Sequence, residues 1–269
     1  MVARALNHMA APKLSWSDFL DLAKNLGCVG VEFRNDLPGD LFDGAAPEDV
    51  GATATAAGLR ILALAEVKAF NDWSDAKREE AEALMKIAKA CGAEMVSLIA
   101  RNDAKGMADG ERQSNLSTAL RELKPLLDKY DLVGLIEPLG FETCALRSKG
   151  EAIDAIEALG AADRFKIVHD TFHHALAGGG SIFPTYTGIV HISGIVDPTL
   201  NLSQMRDEHR VLVDETDRIE NIRQLEQLLS EGYNGPVSFE PFAAQVHNLA
   251  DPRKAIEKSF SYIESELAA

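Results

Sequence analysis

Along almost the whole chain, short apolar runs alternate with longer segments in which apolar residues recur every three or four positions. The runs are rich in Val, Ile, Leu and Phe and stop abruptly on polar residues, as buried strands do, while the periodic segments predict amphipathic helices. The first strand candidate, residues 4–9, is the weakest. Ser15 then stands where an N-cap would open a helix carrying Phe19, Leu20, Leu22, Ala23 and Leu26 on one face, and Gly27 closes it. Further strands are predicted at 29–34, 59–65, 94–100, 132–137, 165–169, 188–192 and 236–240. Helices are predicted at 47–57, at 74–91, after a polar loop at 101–114 as far as 130, at 148–159, at 221–231 and at 252–266. The exit from the third strand, from Glu66 to Trp73, is polar. Segment 171–187 is interrupted by Gly178-Gly179-Gly180 and Pro184. The stretch of about 25 residues after the seventh strand has little periodicity, and a loop that long in a compact domain is usually functional.

Eight alternations of strand and helix, with no linker and no shift in composition, predict a single (β/α)8 TIM barrel occupying 1–269. Strands apolar on both faces suit the parallel sheet of such a barrel. An open doubly wound sheet is the alternative, but no glycine-rich phosphate loop follows the first strand to support it.

Composition narrows the class of function. The 269 residues are 46% hydrophobic, enough for a large core, and 42 acidic against 27 basic residues give a net charge of −15. That charge disfavours nucleic acid and anionic membranes as partners. No run approaches the roughly 20 apolar residues of a bilayer span, and the first residues lack the apolar core of a signal peptide, so a cytoplasmic protein is expected. Cys28, Cys91 and Cys144 are odd in number and isolated in apolar context, which points to reduced packing residues.

In a barrel the carboxyl ends of all strands meet at one face, where active sites of this fold are built. Four consecutive late strands end on chemistry there: Glu137 on the fifth, Asp170 on the sixth, His191 near the end of the seventh and Glu240 on the eighth. Any one of them taken alone would more often be an ion-pair or capping partner. Together they bring three carboxylates and an imidazole to one volume, and a divalent cation relieves the repulsion. The mixed oxygen and nitrogen donors suit Mn, Co, Mg or Zn. Other residues face the same mouth: Glu32 on the second strand, which lines the pocket or pairs with Arg34, and Lys68 beyond the third. Phe70 and Trp73 are candidates for an apolar wall. His169 precedes Asp170 and so points to the helix side of its strand, while His174 and His247 read as surface or supporting residues.

These runs carry a family resemblance. Val31-Glu32-Phe33-Arg34, Leu62-Ala63-Leu64 with Phe70-Asn71, Ile136-Glu137-Pro138-Leu139-Gly140 with Cys144, Asp170-Thr171-Phe172-His173, His191-Ile192, Asp207-Glu208-His209-Arg210-Val211 and Ser238-Phe239-Glu240-Pro241-Phe242 resemble the xylose-isomerase-like TIM-barrel superfamily of sugar isomerases and epimerases. Within it the chain is most similar to inosose (2-keto-myo-inositol) isomerases of inositol catabolism. The resemblance implies that Glu137, Asp170, His191 and Glu240 bind a divalent metal such as manganese. It also implies that His173 and Arg210 contact substrate oxygens, that the substrate is a small polyhydroxy ketone and that the protein is a homo-oligomer. One departure stands out. Related sequences continue the Arg210 segment with a Pro-Gly-x-Gly turn, whereas this chain has Val211-Leu212-Val213-Asp214-Glu215-Thr216-Asp217, so the loop that shapes the pocket is expected to differ.

The chemistry of such an isomerase is removal of a proton beside a carbonyl, with a cation offsetting the charge that develops on oxygen. Glu137 and Glu240 form the expected acid/base pair, and His173 and Arg210 polarise substrate oxygens. The same enolate could lead to elimination, as in a lyase or dehydratase acting on a keto-sugar or keto-glycoside, or serve a hydroxypyruvate isomerase. A metal-dependent endonuclease resembling the abasic-site enzymes shares this barrel, but it needs more metal-binding histidines and a basic face for phosphates. A barrel that binds without catalysing would have little use for all four ligands.

Overall fold

The alternation closes on itself. In the computed structural model, which describes residues 2–269, eight parallel strands pair in chain order and the eighth returns to the first. The strands are β1 (Ala3–Asn7), β2 (Gly30–Arg34), β3 (Arg60–Lys68), β4 (Met95–Ile99), β5 (Val133–Glu137), β6 (Phe165–Asp170), β7 (Thr187–Ile192) and β8 (Pro236–Phe239). The (β/α)8 TIM barrel is thus the fold. Around it run α1 (Trp16–Asn25), α2 (Pro47–Ala56), α3 (Asp75–Cys91), α4 (Glu111–Tyr130), α5 (Lys149–Leu159), α6 (Thr171–Leu176), α7 (Asn221–Ser230), α8 (Ala244–His247) and α9 (Pro252–Glu266).

Local chemistry sets the helix starts. Ser15, Ser74, Ser148 and Asp251 each accept a hydrogen bond from the amide three residues on, contacts of about 1 kcal/mol apiece. Gly92 and Gly160 take the left-handed conformation that ends α3 and α5. Three boundaries differ from expectation. β3 runs on through Glu66 and Lys68, because Val67 and Lys68 pair with Leu98 and Ile99 after a register shift. α4 begins at Glu111 rather than after 114, because the Gln113 side chain accepts from the Gly110 amide and stabilises a polar first turn that shows no apolar period. A short helix, α6, forms directly after β6, because Asp170 caps it by accepting from the His173 amide at 2.8 Å.

Side-chain alternation along the strands creates two environments. Outward residues join a large core shared with the helices, including Phe19, Val31, Leu64, Val96, Ile136, Ile167, Val190 and Phe239. Inward residues form a small apolar floor of Ala5, Leu62, Ala63, Met95, Leu135, Val168 and Ile189. Two residues beyond Leu135, Val168 and Ile189, the same inward face presents Glu137, Asp170 and His191. The site stands directly above the floor of the barrel. The long segment after β7 is held down by an antiparallel bridge in which Gly194 and Val211 exchange hydrogen bonds at 2.7 and 2.8 Å. A side chain at Gly194 would press on the Leu212 carbonyl at 3.0 Å, so glycine lets the two backbones approach. Val211 and Val213 are buried here, which is how the chain replaces the Pro-Gly-x-Gly turn. No described helix is long and apolar enough to cross a membrane.

Candidate functional site

The ends of β5 to β8 converge. One donor atom from each of Glu137, Asp170, His191 and Glu240 lies within 4.8 Å of the others, and all four residues are buried. His191 is oriented from below: its Nε2 lies 3.0 Å from Glu32, whose other oxygen accepts from the Ser238 hydroxyl at 2.6 Å. If Nε2 carries the proton given to Glu32, Nδ1 is left with its lone pair facing the carboxylates, 3.2 Å from Glu240 and 3.8 Å from Glu137. Nδ1 makes no hydrogen bond and is sealed from solvent. A carboxylate behind a histidine whose other nitrogen is free is the usual support for a metal-ligating imidazole.

Two guanidinium groups frame the cluster. Arg210, 1% exposed, donates through Nη2 to Asp170 at 2.6 Å and Glu240 at 3.1 Å, and through Nε to Ser193 at 2.9 Å. Its plane stacks on Phe242 and Phe172, with centroids 4.6 and 5.1 Å away. Arg34 donates to Glu240 at 2.6 Å and, by a two-pronged contact, to Asp36 at 2.8 Å. Asn7 donates to Glu240 at 3.2 Å. Among the innermost groups, four carboxylates (Glu32, Glu137, Asp170 and Glu240) meet two guanidiniums (Arg34 and Arg210), which leaves two negative charges with His191 neutral. Further out, Asp36 and Glu66 against Lys68 add to that excess.

The protonation preferences follow from this balance. Burial and the neighbouring Glu240 push the Glu137 carboxyl up to about 7. Burial opposes charge on Glu240 too, yet His191, Arg210 and Arg34 outweigh it and hold that carboxyl well below the usual range. Burial likewise opposes charge on His191, and Glu240 and Glu32 override it, raising its proton affinity well above that of an ordinary imidazole. On its own the cluster attracts positive charge. The donor set, the excess of two carboxylates over guanidiniums and the unbonded Nδ1 all fit a divalent cation, which would displace the protons that the cluster otherwise takes up.

The remaining expected residues fall differently. His173 is buried at the start of α6 against Phe141, its Nδ1 unbonded, and burial keeps the ring neutral. Glu32, expected at the pocket wall or paired with Arg34, lies under the cluster instead, fully buried with both oxygens engaged by His191 and Ser238. In this position it orients the imidazole. Lys68 stays at the rim, its side chain 64% exposed and paired with Glu66 at 3.2 Å. Phe70 is fully buried and the half-buried Trp73 packs against the edge of the core. His169 faces the helices, where it meets Lys149 and Gln224, and His247 contacts the Pro241 carbonyl. Cys28, Cys91 and Cys144 are buried free thiols.

Four contributors escaped the sequence reading: Asn7, Arg34, Ser193 and Ser238. Arg34 carried a usable signal, since it lies two residues beyond Glu32 in an apolar strand and so shares its inward face. Asn7 and the two serines carried none, because short polar residues are common at strand ends.

A family profile described as "Xylose isomerase-like TIM barrel" matches residues 20–266. No curated protein matches the sequence significantly. Among solved structures, a xylose isomerase domain containing protein from Salmonella typhimurium LT2 is 31% identical, with a TM-score of 0.91 over 100% of this chain and 98% of that one. The IolI protein with a bound zinc atom gives 0.87 at 18% identity, covering 99% of each chain. The 3-keto-D-glucoside 4-epimerase from E. coli gives 0.71 at 18% identity, over 98% of this chain and 100% of that one. At these identities the latter two share the fold.

Proposed function

Because the chain belongs to the xylose isomerase-like TIM barrel family, we propose that it is a divalent-metal-dependent isomerase or epimerase of a keto-inositol or keto-sugar, working in the cytoplasm. One observation carries this reading: four buried donor groups on consecutive strands share a volume in which four carboxylates meet two guanidiniums. Glu137, Asp170, His191 and Glu240 would hold the cation. Bound there, it supplies Lewis acidity to a substrate carbonyl and its neighbouring hydroxyl. The zinc of IolI supports a cation in this fold, and the keto-glucoside epimerase supports a carbonyl substrate.

The residues divide the proton chemistry between them. Glu240, held ionised by His191, Arg210 and Arg34, is the group able to take a proton from the carbon beside the carbonyl. Glu137 is the second carboxyl at the site and the one that returns a proton; burial and Glu240 raise its proton affinity to about 7 in the cation-free cluster, and a held cation lowers it. Two carboxyls whose environments drive them apart make a natural base and acid. Arg210 is locked by Ser193, Asp170 and the flanking Phe rings, so it presents fixed positive charge to a substrate oxygen without reorganising. Neutral His173 donates an N–H to another oxygen.

The test is a panel of keto-inositols, ketoses, 3-keto-glycosides and hydroxypyruvate, incubated with manganese-loaded protein in D2O and followed by product analysis. At least one should gain deuterium beside its carbonyl and yield an isomer or epimer. Elimination products would move the assignment to a lyase, and absence of exchange across the panel would refute the reading.

A further inference from the structure

Beside the metal cluster the structure places two cations that no carboxylate balances. The guanidinium of Arg147 donates to the carbonyls of Gly140, at 2.9 and 3.1 Å, and Leu176, at 3.3 Å. Lys149, only 8% exposed, meets two imidazoles: His169 Nδ1 at 3.0 Å and His174 Nδ1 at 2.8 Å. Among the described residues neither cation shares a hydrogen bond or an ion pair with an acid, in a chain that has 42 of them.

Gln224 fixes the direction of the contact between Lys149 and His169. Gln224 spends its amide N–H groups on the carbonyls of Thr171 and Ile219, at 3.2 and 2.7 Å, so its oxygen faces His169 Nε2 at 2.9 Å and accepts from it. His169 therefore carries its proton on Nε2, and Nδ1 accepts from Lys149. With two N–H bonds given to imidazoles, the third donor of the ammonium is left over. Burial among neutral partners is costly for a cation, and it lowers Lys149 to about 7.

Both cations line a cavity of about 290 Å³ between the start of α5 and the later part of α6, near the lower end of the roughly 300–1,000 Å³ of ligand pockets. Its far wall is Gly179, Gly180 and Ser181, and Gly178, Gly179 and Gly180 all have positive φ, at 92°, 75° and 110°. The Gly178 and Gly179 amides are spent on the Ala175 and His174 carbonyls, which leaves the successive amides of Gly180 and Ser181 as the backbone donors of this wall for an anion. The amino end of α5, an 11-residue helix, opens into the same space and favours negative charge. Pro138 and His173 line the cavity too, one and three residues beyond Glu137 and Asp170, so it adjoins the metal cluster.

We propose that this cavity is an oxyanion subsite in which Arg147, Lys149 and the Gly180 and Ser181 amides hold a phosphate or carboxylate group. Carried on the distal end of the substrate, that group would make the enzyme one of anionic keto-sugars, an extension that rests on the isomerase reading. The anion binding itself does not.

The experiment is calorimetric titration of the metal-loaded full-length protein with inorganic phosphate, using wild type, Arg147→Met and Lys149→Met, with thermal melting and metal content as controls. Saturable one-site binding is expected in wild type, weakened about tenfold or more in each variant by loss of a charge-assisted contact. Arg147 is only half-buried, so its variant carries the test if Lys149→Met does not fold. Phosphate that fails to bind, or binds equally well to both variants, overturns the subsite. A second arm compares a ketose with its phosphate ester. A substrate-borne anion gives the ester the lower KM in wild type and loses that preference in Arg147→Met, whereas a free anion gives no preference while the phosphate result stands. Normal phosphate binding without turnover of any keto-sugar would sink the isomerase reading and leave the subsite in place.

Discussion

The two halves of the barrel mouth do opposite work. Strands β5 to β8 present Glu137, Asp170, His191 and Glu240, the groups that gather negative charge and can hold a cation. Strands β1 and β2 present Asn7, Glu32 and Arg34, which touch that set without joining it: Asn7 and Arg34 donate to Glu240, and Glu32 fixes the His191 ring. The late half is a ligand set and the early half is its mounting. A carboxylate meant to act as a base must be held ionised and still, and here His191 and Arg210 of the late half are joined in that by Arg34 and Asn7 from the neighbouring early strands. The difference teaches that reactivity at Glu240 belongs to the pairing of the halves, since burial alone would drive its proton affinity upward.

That division can be broken from either side, and the largest effect should come from the late half. Glu240→Gln keeps the hydrogen-bonding shape but removes the base. It should lower solvent-deuterium exchange at the substrate carbon by about 10³-fold while the circular dichroism spectrum is unchanged, and exchange at the wild-type rate would show that another group takes the proton. In the early half, Glu32→Gln leaves the His191 ring without its carboxylate. Metal affinity should fall by about 10- to 100-fold, measured by competition with a chelator, and an unchanged affinity would mean that Glu32 is mere filling.

Acidity offers a subtler probe of the same contrast. Glu137 holds its proton up to about pH 7 in the metal-free cluster, and His191 holds one higher still. A cation must displace these protons, so its binding is weak at low pH and strengthens as pH rises through the Glu137 value. Between pH 6 and 8 the apparent affinity should rise about tenfold or more, with proton release read from calorimetry in buffers of different ionisation enthalpy. A flat profile would show that Glu137 stays out of the metal shell. The smallest effect belongs to the rim: Lys68→Ala removes an exposed contact to Glu66 and should change kcat/KM by less than about threefold, because such pairs are worth about 0–1 kcal/mol.

The contrast also explains what was legible in the sequence. The late half announced itself because a single acid or imidazole closes each apolar run, two residues past an inward hydrophobe, as Leu135 precedes Glu137 and Ile189 precedes His191. Period-two alternation then sets which way the side chain points, and the closed barrel brings the ends together. The early half was harder because its residues act through partners more than 150 positions away, Asn7 and Arg34 on Glu240 and Glu32 on His191. Glu32 showed only that a charge sat inside a strand; that it lies under the site depends on Ser238 and His191 closing over it. Lys149 illustrates the same limit, since as the first residue of a helix it reads as an ordinary solvated lysine until His169, His174 and α7 bury it.

The central claim is that the four late strand ends form a divalent-metal centre, and elemental analysis tests it most directly. Protein purified without chelator and dialysed against each of Mn, Co, Mg and Zn should retain about one divalent ion per chain, the charge the cluster lacks, while His191→Ala retains well below one. Wild-type protein that retains no stoichiometric ion from any of the four, or His191→Ala that retains as much as wild type, would contradict the account.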